Sequence, residues 1–173
     1  MPEKLPVLLN GGMLNRQGDK VKSRVHARAI VVADERSSLA LVVVDSCMMP
    51  RPLLDEAKAL AARRTGIPAD RILIAATHSH TAPSSMGCLG THEDPAYVPV
   101  LRRQLVEAIA AATTKVAAGD FTVRVAEGRR DEIGKTATAF NKMTADLGTY
   151  RDRLVTETRA RENLSRFLSP EVV

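Results

Sequence analysis

Tryptophan is absent from the chain, and the aromatic fraction is only 3% of 173 residues. An aromatic-rich sandwich core is therefore excluded, and cores must be built from Ala, Val, Leu and Ile, which suits helices and parallel strands. Cysteine is almost as scarce. Cys47 and Cys88 are too few and too far apart in sequence for a metal knuckle or a disulfide scaffold, and they read as free thiols of a reducing compartment. Long apolar runs are missing too. Stretches such as 39–44 and 108–112 fall far short of the roughly 20 residues that a bilayer core requires. The first residues, Met1-Pro2-Glu3-Lys4-Leu5-Pro6, lack the apolar stretch and small-residue site of a secretory signal. A cytoplasmic setting is the expectation.

What remains is an ordinary globular composition, with 45% apolar and 26% charged residues. The length suits one domain or two small ones, and two complete enzymes will not fit. The net charge of +5 is spread along the chain. Arg63-Arg64, Arg102-Arg103 and Arg129-Arg130 are each flanked by acidic or apolar residues and read as solvated faces, so no nucleic-acid partner is expected.

Residues 25–34 and 39–45, rich in Val, Ile and Leu, predict two neighbouring strands around a polar turn at Glu35-Arg36-Ser37-Ser38. Helical spacing of Ala and Leu over 53–65, closed by Gly66, predicts a crossover helix. The apolar run Ile72-Leu73-Ile74-Ala75-Ala76 then fits a buried parallel strand. This strand-strand-helix-strand order is an α/β layer arrangement. Residues 78–94 read as loop. A second helix begins near Ala96, with an apolar stripe of Leu101, Leu105, Ile109, Ala112 and Val116 running up to Gly119.

The last third changes character. Ile133, Phe140, Leu147 and Leu154 recur every seven residues, with Ala137 and Met143 or Thr144 between them. A strict repeat of seven predicts a left-handed coiled-coil seam and hence a homodimer, because an isolated helix of this length is marginal in water. The pattern falters through Thr158 and Arg161, resumes at Leu164, Phe167 and Leu168, and is closed by Ser169-Pro170.

Two segments carry chemistry or signalling grammar. Thr77-His78-Ser79-His80-Thr81-Ala82-Pro83 follows the predicted parallel strand directly. The i, i+2 spacing puts both imidazoles on one side if strand geometry continues, and imidazole is a common zinc ligand. His92, Glu93 and Asp94 form a loop cluster read as solvent-exposed. Together with Val25-His26-Ala27-Arg28-Ala29, Val42-Val43-Val44-Asp45 and Met48-Met49, the histidine segment resembles the amino-terminal part of the neutral ceramidase family over about residues 5–112. That resemblance implies a zinc amidase, with His78 as metal ligand and His80 as a neighbouring catalytic residue. The family's remaining ligands and its serine-centred site lie further along than this chain follows the pattern, so an incomplete site is expected.

The second segment is Val116-Ala117-Ala118-Gly119-Asp120-Phe121, Val123-Arg124-Val125, Asp131-Glu132-Ile133-Gly134 and Phe140-Asn141-Lys142-Met143. Gly119 lets the chain leave the first helix, and Asp131 suits an N-cap, with Glu132 in the first turn of the next helix. These spaced elements resemble the HAMP linker of bacterial sensor proteins. The resemblance implies a parallel four-helix coiled coil in a dimer, a membrane link, and packing roles for Gly119, Phe121, Asp131, Glu132, Ile133, Phe140, Met143 and Leu147. Residues 161–173 resemble the segment before the catalytic domain of class III adenylate and guanylate cyclases. The expected organisation is a ceramidase-like part over 1–110, a HAMP-like linker over 105–150 and a coiled-coil extension over 151–173. The expected function is a signal relay fused to an incomplete zinc hydrolase. The alternatives are a zinc-dependent hydrolase fragment, or a truncated or chimeric product without activity of its own.

Overall fold

Alternation of apolar and polar side chains, together with proline and glycine at the turns, sets the elements of the computed structural model, which describes residues 5–34, 36–120, 122, 124 and 132–165. The chain divides into two units, Met1–Val116 and Ala117–Val173.

In the first unit, β1 (Val7–Leu9) and β2 (Arg16–Gly18) form a short antiparallel hairpin that the sequence reading placed in no element. β3 (Ala27–Ala33) pairs antiparallel with β4 (Ser38–Val44) around the expected polar turn, where the Asp34 carboxylate accepts the amides of Arg36 and Ser37. β5 (Ile72–Ala76) adds parallel to β4, giving a mixed sheet of order β3-β4-β5. Between them runs α1 (Arg51–Thr65). It starts two residues before the expected Leu53 because Pro52 sits in its first turn, where no backbone N–H is needed. It ends as expected at Gly66, whose amide bonds to the Ala62 carbonyl. α2 (Tyr97–Ala117) closes the unit.

Ala40, Val42 and Val44 of β4 and Ile72 and Ile74 of β5 face Leu53, Ala57 and Ala61 of α1 and Leu101, Leu105 and Ile109 of α2. Both helices cover this one face. The expectation of a strand buried on both sides is therefore corrected: Leu73 is 59% exposed, and Leu39, Leu41 and Val43 also face outward. An uninterrupted apolar run permits two covered faces but does not supply the second cover.

The second unit contains α3 (Glu132–Ser165), one continuous helix of 34 residues through the positions where the heptad pattern falters. Among the described residues, no helix is long and apolar enough to cross a membrane.

Candidate functional site

Parallel pairing of β4 with β5 decides where the chemistry lies. Val44 is in register with Ala76, so the residues just past both strand ends become neighbours. The ladder continues beyond the strands: the Thr77 amide donates to the Val44 carbonyl, and the Ser79 amide to the Ser46 carbonyl. Between these two bonds His78 takes φ 63, a left-handed conformation that a residue with a Cβ adopts at a cost. Strand geometry therefore does not continue through 78–80, which corrects the assumed route to a histidine pair. The two imidazoles still meet, with ring centroids 4.7 Å apart in an edge-to-face arrangement.

The third member is Cys47. Ligand atoms of Cys47, His78 and His80 all lie within 4.8 Å of one another, which makes the three a triad that could hold a metal ion. Distance along the chain is thus a poor guide: Cys47, read from the sequence only as a free thiol, lies beside both histidines. Its thiol is free and buried, and burial pushes its pKa up, with Cys88 adding to the effect. A bound cation would act in the opposite direction, because it stabilises the thiolate.

Orientation comes from several neighbours. His78 Nδ1 lies 3.0 Å from the Cys47 carbonyl oxygen, a bond in which the ring donates, and 3.9 Å from the Cys47 sulfur. The carbonyl of His80 accepts Arg16 Nη2 at 3.2 Å, which ties the histidine segment to β2. Ser85 Oγ donates to the Met48 carbonyl at 2.8 Å, and Asn10 Nδ2 donates to the Met86 carbonyl at 2.7 Å. Asn10, Ser46, Ser84 and Ser85 are all buried and hydrogen-bonded, whereas His78 and His80 are exposed, so the triad lies at the surface beside a satisfied polar network.

Tetrahedral zinc with nitrogen and sulfur ligands needs donor separations of roughly 3.3–3.7 Å, given bond lengths of about 2.0–2.3 Å. The three donors, within 4.8 Å of one another, approach that geometry and would have to close up to hold an ion. One thiolate and two imidazoles are a zinc-compatible set, and the fourth position is left for water or another ligand.

His92 and Glu93 are exposed and Asp94 is buried, so the expectation of an exposed cluster fails at Asp94. Its carboxylate accepts the amides of Leu8, Ala96 and Tyr97, which makes it the cap of α2 and the anchor of β1 rather than a ligand. Sequence reasoning missed Cys47 and Gly11. The parallel register of β4 and β5 would have found the cysteine, and the positive φ and close packing of Gly11 become visible only in three dimensions.

In the relay segment, Gly119 takes φ 65 just after α2, and the Arg151 guanidinium donates to its carbonyl. Thr122 bonds through its amide to Asp120 Oδ1, and Arg124 Nη1 donates to Thr144 Oγ1 at 3.0 Å. Asn141 and Thr144 are buried within this unit, whereas Met143 is 42% and Leu147 43% exposed, as is the seam position Leu154. Phe121 and Asp131 lie outside the described residues, as do the side chains of Glu132, Ile133 and Phe140 and all of 166–173.

Residues 104–149 match the family model of the HAMP domain, which suggests a signal-transduction linker in that part of the chain. No curated protein and no solved structure matches the chain. The ceramidase-like and cyclase-like resemblances draw no support from these comparisons.

Proposed function

We propose that the chain is a signalling module in which residues 104–149 relay a conformational signal as a homodimer. The match of this segment to the HAMP domain carries the reading. Exposed Met143, Leu147 and Leu154 on one long helix support it, because such side chains gain from packing against a second copy. In this reading the dimer is a parallel coiled coil whose rotation or tilt passes a two-state signal to an output domain of cyclase type, at the inner face of a membrane. The test is molecular mass in solution. A dimer that becomes a folded monomer on Leu147→Asp is the expected result, since a charge at a seam position would be buried without a partner. A monomeric chain at tens of micromolar would count against the relay.

A second reading is favoured by the triad geometry, in which the α/β unit binds zinc through Cys47, His78 and His80. The ion would supply Lewis acidity there, and the chain's own residues would hold and orient it. Among the described residues three donors come together there, and in this reading they hold a metal. Metal analysis of the purified chain decides: stoichiometric zinc lost with His78→Ala supports the reading, and zinc retained in that variant overturns it.

A further inference from the structure

The two arginine pairs Arg63-Arg64 and Arg102-Arg103 read as separate solvated faces in the sequence, yet the fold brings them together. They line opposite walls of an open groove of about 630 Å³ between α1 and α2. Its apolar lining is Leu60, Pro99 and Val106, with Leu60 well exposed. Two ion pairs bridge the helices: Arg64 with Glu107, and Arg102 with Glu56. Each is about half exposed, so it fixes side-chain direction more than it stabilises the fold.

We propose that this groove docks an acidic amphipathic helix of a partner protein. Charge gives the sign of the partner, because the four guanidinium groups of the groove are set against two carboxylates, Glu107 in its lining and Glu56 paired with Arg102, which leaves an excess of two positive charges. Shape gives its form. A concavity between two helices with an apolar floor accepts the leucine face of a third helix, whereas a lipid surface is met by a protruding face. The cations are all arginine, with no lysine among them, and guanidinium forks match carboxylates in bidentate geometry. The chain's own α3 is a poor occupant, since it carries six basic and five acidic side chains and offers no net negative charge.

The experiment uses the full chain and a fluorescent synthetic helix of roughly 20 residues, with leucine at i, i+3, i+4 and i+7 and glutamate between. Saturable binding is expected, weakened by added salt and lost when lysine replaces glutamate in the probe. The Arg63→Glu, Arg103→Glu double variant, checked for folding by circular dichroism, should bind at least about tenfold more weakly. If the double variant misfolds, Arg63→Gln alone replaces a side chain at the exposed rim and should cost about threefold. No binding overturns the proposal, as does equal binding by these variants. Vesicles of phosphatidylcholine with phosphatidylglycerol are run in parallel. Binding to them that the double variant loses, with no binding of the peptide, would assign the surface to a membrane instead.

Discussion

The His80 ring rests on the bare α-carbon of Gly11: a Cβ at that glycine would stand 2.6 Å from His80 Cγ and 2.8 Å from Nδ1. Gly11 lies in the loop of the β1–β2 hairpin at φ 93, where a side chain is strained in any case. The hairpin therefore sets how far the second histidine can swing. Gly11→Ala should destabilise the unit by about 1–3 kcal/mol and push the ring off its present position. Metal affinity should fall by about tenfold to a hundredfold, as it does when the groups orienting a ligand are lost. Thermal unfolding and a cobalt titration measure the two effects, and no change in either would mean that the ring moves aside freely.

Cobalt also separates the roles of the three donors. The wild-type chain loaded with cobalt(II) should show a near-ultraviolet thiolate-to-metal absorption band, because one donor is sulfur. Cys47→Ser should abolish that band, while His80→Ala should weaken binding and leave a residual thiolate band. A spectrum unaffected by Cys47→Ser would remove the cysteine from the site.

Tyr97 reports on the α/β core at alkaline pH. Burial, with a smaller contribution from the Asp45 carboxylate, pushes its phenol up to about 12. An unfolded tyrosine titrates near about 10, so between those values the unfolded chain has lost a proton that the folded chain still holds. Stability from this group is complete below about pH 10 and declines as pH rises toward about 12, by up to ~1.4 kcal/mol per pH unit. Tyr97→Phe should flatten that decline. Urea unfolding at pH 8 and pH 11 compares the two proteins, and equal losses would locate the alkaline sensitivity elsewhere.

Leu105 and Leu154 should respond in opposite assays. Leu105 has no exposed surface, so Leu105→Ala should cost about 2–5 kcal/mol of unfolding free energy. Leu154 is 44% exposed in the single chain, and Leu154→Ala should leave the monomer within about 0.5 kcal/mol while weakening self-association. Calorimetry at low concentration and sedimentation at high concentration make the comparison. A Leu154→Ala variant that melts early when monomeric would place this side chain in an intramolecular contact.

Local signals were read well where the physics is local. The strand-turn-strand of β3 and β4, the helix closed by Gly66 and the stripe along α2 each follow from spacing within a few residues. Three features did not, and each depends on contacts between distant segments. Cys47 joins His78 and His80 only because β4 and β5 are parallel and in register. Asp94 left its expected exposed cluster because it satisfies the amides of β1 and α2, which no count of loop residues reveals. The outward exposure of Leu73 depends on where two helices pack, and an apolar run looks the same with one face covered or two. The β1–β2 hairpin escaped notice because three-residue strands carry too few positions to show alternation.

The HAMP match begins at Gln104, so it takes in Leu105 and Ile109, both completely enclosed by the α/β core. A side chain already packed on every side has no surface left to offer a neighbouring helix. If the relay is assembled from this same stripe, joining the bundle means leaving the sheet, and withdrawing two such side chains costs about 3–6 kcal/mol. A loss of that size is comparable with the whole stability of a small domain. Anything that tightens the α/β unit, a metal ion included, would then hold the relay helix back, and assembly of the relay would loosen the metal by the same factor.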